Sequence, residues 1–138
     1  MCLQAGPVLG FDPPERVALN CPGDAIAWAR TIPGFGWYAE IYALFLNPDR
    51  TLRRAAWLGS ATALDDFVAW PDFSLGYTPP GGAEAVMLLV CRPGEGVEPT
   101  TDDTEIFELL GLAHDARGVP LLDVVLVDGR RWRSLASG

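Results

Sequence analysis

The order of apolar and polar residues divides the chain into segments of strand and helix length. Three apolar runs have strand length and are bounded by turn residues, namely Glu40–Leu46, Ala85–Cys91 and Val119–Val127. Runs that are apolar almost throughout are typical of strands covered on both faces. The pattern therefore predicts three buried strands of one sheet.

Turn residues extend this pattern to two further strands. Asn-Pro-Asp-Arg after Leu46 predicts a β-hairpin over about residues 39–59, with Thr51–Gly59 as its second strand. Asp128-Gly129 predicts a tight turn into a last strand, Arg130–Leu135. The second strand of the hairpin has apolar residues available for packing on the sheet.

A helix is predicted over about residues 102–116, where apolar residues recur at i, i+3, i+4 and i+7. Thr101 or Asp102 is the expected cap, and Gly118 ends the segment. The face expected to lie on the sheet consists of Ile106, Leu109, Leu110 and Ala113.

A shorter helix is predicted over Ala25–Thr31, capped by Asp24 and stopped by Pro33-Gly34. Residues 1–20 carry several Gly and Pro and predict an irregular or extended arm. Residues 60–82 are the least regular part; a short helix over Ala63–Trp70 followed by a loop is the interpretation we adopt for them. Together the pattern predicts the α/β (α+β) class, with a central mixed sheet flanked by helices and preceded by an irregular N-terminal arm.

Composition narrows the classes of function. The chain has 138 residues, enough for one core, and a formal net charge of −8 in which every basic residue is Arg. This charge balance argues against direct nucleic-acid binding, because such binding needs a basic face. The cluster Arg130-Arg131-x-Arg133 is interpreted as solvated charge at a sheet edge. No apolar run is long enough for a membrane span and the start lacks a secretory pattern, so we expect a cytoplasmic protein.

Three cysteines, Cys2, Cys21 and Cys91, cannot all pair, and their arrangement favours free thiols in a cytoplasmic chain. Cys21 is either reactive or a small buried residue near a helix start, and we favour the buried interpretation. His114, the only His, is expected to be a partly exposed polar residue on the helix.

One stretch has the spacing of a metalloprotease motif. Val90-x-Arg92-Pro93 is followed after six residues by Thr100 and after two more by Asp103. This arrangement resembles the His-x-His-Pro, Ser and Asp motif of the JAB/MPN metalloproteases. The later segments Gly118–Asp123, Val127–Arg130 and Ser134-Leu135 are similar to the RadC-like branch of that superfamily. The resemblance divides the chain into an N-terminal arm, residues 1–21, and a degenerate RadC-like JAB/MPN domain, residues 22–138, with a cytidine-deaminase-like layout.

The resemblance also implies what has been lost. In a working member two His and one Asp bind zinc, and a Glu from an earlier strand acts as general base. Here Val90 and Arg92 replace the two His, Asp103 matches the Asp, Thr100 replaces the Ser, and Glu40 matches the Glu. Val124 stands at the position where the RadC-like branch often has a further His. Cys91 cannot compensate, because successive side chains of a strand point to opposite faces.

We therefore expect no metal, no cofactor and no peptidase activity, and we expect Arg92 to replace the metal charge by pairing with Asp103, Glu40 or both. The leading hypothesis is an inactive JAB/MPN-like pseudo-metalloprotease that acts by binding another protein of unknown identity; a homodimer is also compatible. The alternative is an enzyme, or a protein that binds an anion or small ligand, using the metal-free cleft of Glu40, Arg92, Thr100 and Asp103. A DNA-associated role by analogy with the RadC family is opposed by the net charge.

Overall fold

The computed structural model describes residues 9–11, 17–60, 84–116 and 118–136; the predicted helix Ala63–Trp70 and the loop after it lie outside these ranges. The described residues form six strands and two helices, which confirms the α+β class. In chain order the elements are β1 (Leu9–Phe11), α1 (Pro22–Ala29), β2 (Glu40–Leu46), β3 (Leu52–Ser60), β4 (Ala85–Cys91), α2 (Thr101–Ala116), β5 (Leu121–Asp128) and β6 (Arg131–Ser134).

The strands form one mixed sheet in the order β1-β3-β2-β4-β5-β6. The predicted hairpin is confirmed as the antiparallel pair β2–β3, and the predicted turn at Asp128-Gly129 joins the antiparallel pair β5–β6. Strands β4 and β5 are parallel. Because parallel neighbours cannot be joined by a tight turn, α2 serves as the crossover between them.

The two helices cover opposite faces of the sheet. Ile106 and Leu110 of α2 pack in a cluster with Val86, Leu88 and Val90 of β4. The alternate positions of the same strand, among them Leu89 and Cys91, belong to a second cluster with Ala25 and Ile26 of α1. Strand β4 is buried at every residue, as its apolar run predicts. We refer to the two sides of the sheet as the α1 face and the α2 face.

The predicted contact face of α2 was partly wrong. Leu109 is 55% exposed, whereas the buried side chains of the helix are Asp103, Ile106, Leu110 and His114. These four follow one another at intervals of three or four residues and form a single stripe. The helix is therefore rotated about its axis relative to the prediction. The prediction placed only apolar residues on the contact face, whereas two of the buried residues, Asp103 and His114, are polar.

The start of α1 also differs from the prediction. The helix begins at Pro22, a residue whose fixed φ suits the first helical position, and the N-cap is Cys21 rather than Asp24. Asp24 instead accepts a hydrogen bond from the Asn20 backbone N–H at 2.9 Å. Cys21 is exposed, so its interpretation as a buried residue was wrong.

The described parts of the N-terminal arm are extended and lie along β3. Residues 9–11 form β1 and pair antiparallel with Ala55, Ala56 and Trp57, and Ala18 bridges to Thr51. Leu19 is buried on the α1 face. The division of the chain at residue 21 stays a prediction.

Candidate functional site

Four of the five predicted site residues meet where β4 ends and α2 begins. Val90 is fully buried on the α2 face, and Arg92 follows it two residues later on the same side of the chain. Thr100 and Asp103 stand at the first turn of α2, just after the loop that leaves β4. The spacing of the motif therefore brings these side chains together, as the sequence predicted.

Arg92 and Asp103 form a buried ion pair. The Arg92 Nη1 donates to Asp103 Oδ1 at 3.1 Å, and the two side chains are 6% and 4% exposed. This confirms the expected pairing of Arg92 with Asp103. The Arg92 Nε is buried and has no partner among the described residues. The position is therefore a closed contact within the protein rather than an open cleft.

Asp103 also belongs to the cap of α2. Its Oδ2 accepts from the Thr100 backbone N–H at 2.9 Å, and the Asp103 N–H donates to Thr100 Oγ1 at 3.1 Å. This reciprocal pair is a capping box, with Asp in the place usually taken by Glu or Gln. Thr100 is therefore the cap, rather than Thr101 or Asp102 as predicted. Helix capping alone is enough to explain why Thr100 and Asp103 occur three residues apart.

Glu40 does not join this group. Its carboxylate accepts from the Tyr42 hydroxyl at 2.8 Å, and Tyr42 packs on the α1 face. Arg92 and Asp103 lie on the α2 face, so the sheet separates them from Glu40. The expectation that Glu40 shares a cleft with Arg92 was wrong, because the pleat of β2 directs residues 40, 42 and 44 to the α1 side.

The surroundings of Glu40 perturb two neighbouring groups. Burial, with a smaller contribution from the Glu40 carboxylate, raises the pKa of Cys91 to about 12, although the Gly36 N–H opposes the shift. Burial and the hydrogen bond to Glu40 also raise the pKa of Tyr42. Both groups therefore stay protonated at neutral pH, which suits neither a nucleophile nor a base.

His114 is buried, contrary to the prediction of partial exposure. Its Nδ1 lies 2.7 Å from the carbonyl oxygen of Leu110, an acceptor, so Nδ1 carries a proton in this contact. The imidazole lies eleven residues beyond Asp103 on α2, about 16 Å along the helix axis at 1.5 Å per residue. Within the described ranges no three His, Cys, Asp or Glu side chains are placed to share a metal ion.

The C-terminal motif residues make hydrogen bonds inside the fold. Asp123 is buried and accepts from the Ser134 hydroxyl and from the Ala136 N–H. Asp128 accepts from the N–H groups of Gly94 and Gly96, each at 2.9 Å. These two backbone bonds, and then the Arg131 guanidinium, lower the pKa of Asp128. The sequence did not indicate this contact between the β5–β6 turn and the loop after β4.

A cavity of about 500 Å³ lies beside β6, at the end of the sheet away from β1. Its walls include Cys21 and Gly23 at the start of α1, Val97 of the loop before α2, and Trp132 and Arg133 of β6. No sequence pattern predicted this cavity, because its walls come from three segments that are distant along the chain. It is separate from the Arg92–Asp103 contact.

Neither the comparison with protein-family models nor the comparison with curated proteins finds a match for this sequence. Neither helix in the described ranges is long and apolar enough to cross a membrane. The fold and the site therefore define a structural class. The described residues form an α+β protein with a six-stranded mixed sheet, and a buried ion pair between Arg92 and Asp103 occupies the site of the motif.

Proposed function

We propose that the chain is a metal-free relative of the JAB/MPN metalloproteases, of the RadC-like branch, which acts by binding another protein in the cytoplasm. One observation carries the proposal. The guanidinium at the position of the second zinc-binding His is buried against the Asp that matches the third zinc ligand. An internal cation thus supplies the charge that a metal would otherwise provide at this carboxylate.

The arrangement of the elements supports the same reading. The motif occupies the end of a buried central strand, the following loop and the first turn of a crossover helix, and helices cover both faces of the sheet. The free thiols of Cys21 and Cys91 suit a reducing compartment.

The catalytic alternative lacks supporting geometry. Arg92 and Asp103 pair with each other away from solvent, and Glu40 lies across the sheet from them. A general base must come within hydrogen-bond reach of its reacting group, and the part of the chain that the structure describes places no such pair at the motif.

Zinc content tests the metal-free half of the proposal. The purified protein is expected to contain substoichiometric zinc by elemental analysis, because Asp103 alone cannot hold the ion. Stoichiometric zinc in the wild type would overturn the proposal.

Restoring the ligands tests whether the frame is that of the family. The double variant Val90→His/Arg92→His is expected to take up zinc together with Asp103, and Val90→Ala/Arg92→Ala is the matched control that should take up none. The zinc-loaded double variant is still expected to lack peptidase activity, since Glu40 lies on the other face. A folded double variant without zinc would count against the family assignment.

The proposal that the chain binds another protein is tested by purifying the chain from its native cells. Under non-denaturing conditions the tagged chain is expected to elute with a second polypeptide in a fixed ratio. Elution as the free chain at every concentration would contradict a binding function.

A further inference from the structure

Strand β6 is the edge of the sheet among the described residues, and the backbone groups of Trp132 in this strand do not bond to β5. The Leu135 N–H donates to the Val124 carbonyl at 2.9 Å, and Arg133 and Arg131 stand opposite Leu126 and Asp128 in the same register. In an antiparallel pair the residues that bond to the neighbour alternate with residues that do not. Trp132 therefore directs its N–H and C=O away from β5, toward the outer side of the described sheet.

The cavity described above lies along this edge and has two different sides. The Trp132 ring reaches the start of α1, where two of its carbon atoms lie 3.7 and 3.9 Å from the position of a Cβ built on Gly23. Arg133 points the other way, toward Glu98, because alternate side chains of a strand leave opposite faces. One side of the cavity is thus aromatic and apolar, and the other carries an Arg.

The local charge is unlike that of the whole chain. Arg30, Arg130, Arg131 and Arg133 gather around this end of the sheet in a protein of net charge −8, with Arg30 bonded to the Arg130 carbonyl. Arg131 and Arg133 contact Asp128 and Glu98, but both Arg side chains are well exposed, at 68% and 42%. Exposed pairs of this kind are weak, so a carboxylate from a ligand can join or replace them.

Resting on the proposed binding function, we infer that the β6 edge binds an extended peptide segment of a partner protein, with acidic side chains at alternate positions and apolar side chains between them. The peptide adds a strand to the sheet through the outward backbone groups of β6. Its acidic side chains lie on the side of Arg131 and Arg133, and its apolar side chains lie against Trp132 and the start of α1. A second copy of the chain fits less well, because pairing β6 with β6 would place like-charged Arg side chains together.

The binding experiment uses three fluorescently labelled pools of ten-residue peptides and the full chain. The first pool has Glu at every second position with Val, Leu or Ile between; the second has Lys in place of Glu; the third contains the residues of the first in a blocked order. Only the first pool is expected to bind by fluorescence polarisation. Equal binding of all three pools, or no binding of the first, would overturn the inference.

Variants separate the contacts. Arg133→Glu is expected to weaken binding at least about tenfold, while Arg53→Glu, an exposed Arg on the distant strand β3, makes the same charge change and should have no effect. Trp132→Ala removes the ring and keeps the N–H, whereas Trp132→Pro removes both; the Pro variant should bind more weakly than the Ala variant. Pro is tolerated at an edge position whose N–H faces outward.

Amide hydrogen exchange tests the inference in the wild-type protein and therefore does not depend on whether a variant folds. In the free protein the Trp132 amide is expected to exchange faster than those of Arg131 and Arg133, and the first pool should protect it. A protected Trp132 amide without peptide, together with a dimer in sedimentation, would make a second copy the occupant and overturn the inference. Zinc in the wild type would instead overturn the proposed function and leave these results standing.

Discussion

At the scale of single residues, Asp103 connects the end of strand β4 to the start of helix α2. One carboxylate oxygen accepts from Arg92 at the end of β4, and the other accepts from the Thr100 N–H at the start of α2. Both bonds are charge-assisted, and the bond to Arg92 is shielded from water because both of its side chains are buried. The strand and the helix are thus held together at one carboxylate.

The Arg92→Met variant is expected to lose about 3–5 kcal/mol of unfolding free energy, because it leaves the buried Asp103 carboxylate without its partner. Asp103→Asn should also destabilise, since it leaves the guanidinium unpaired. Urea unfolding of both variants and of the double variant measures the coupling, and the double should cost less than the sum. A loss below about 0.5 kcal/mol for Arg92→Met would contradict the closed geometry.

Asp128 makes stability depend on acid pH. Its pKa is lowered from 3.8 by the N–H groups of Gly94 and Gly96, so its ionised form stabilises the fold above the unfolded value. That contribution is lost as pH falls below about 3.8 through the lower folded pKa. The difference in unfolding free energy between wild type and Asp128→Asn should therefore be constant near neutral pH and shrink below this value; a difference unchanged down to pH 2 would contradict it.

The Arg92–Asp103 contact was predicted from the resemblance of the motif, in which the position of the second His and that of the Asp share one zinc site. The sequence did not predict the side on which Glu40 lies. In the regular register of β2 with β4, Glu40 stands opposite Cys91 and therefore shares a face with Cys91 rather than with Val90 and Arg92. The spacing of a motif along the chain does not show which face of the sheet a side chain of another strand occupies, so the prediction for Glu40 was wrong.

At the scale of elements, the strands were predicted more accurately than the helix faces. Strand β4 has the predicted bounds, since an uninterrupted apolar run between turn residues leaves little choice. The stripe of α2 was harder, because Leu109, Leu110 and Leu112 offer several apolar faces. The choice depends on Asp103 reaching Arg92 and on the burial of His114, both of which are tertiary effects.

Leu109 and Leu110 give a matched pair for the corrected face. Leu110→Ala is expected to cost about 2–5 kcal/mol through lost burial and a residual cavity, whereas Leu109→Ala should stay within about 0.5 kcal/mol. Thermal or urea unfolding of the two variants checks the assignment. A larger effect at Leu109 would restore the face first predicted from the sequence.

At the scale of the whole molecule, the two described cysteines report on different states. Cys21 is exposed at the start of α1, while Cys91 is fully buried and burial raises its pKa to about 12. A thiol needs both access to the reagent and ionisation to react. One of them is therefore available in the folded state and the other is not.

In a Cys2→Ser variant, a disulfide reagent such as Ellman's is expected to label one thiol rapidly in the native protein and the second only on unfolding. The additional Cys21→Ser variant should lose the rapid phase, which assigns it. Rapid reaction of two thiols under native conditions would contradict the burial of Cys91.

The parallel pairing of β4 and β5 has a consequence for how the chain reaches its fold. Until α2 has crossed over and β5 has added, β4 presents an unpaired edge along a seven-residue segment without charge or proline. Parallel pairs form slowly because the intervening chain must first be ordered. We therefore expect the crossover to compete with intermolecular association of β4, and we expect the capping box and ion pair at the start of α2 to favour the crossover.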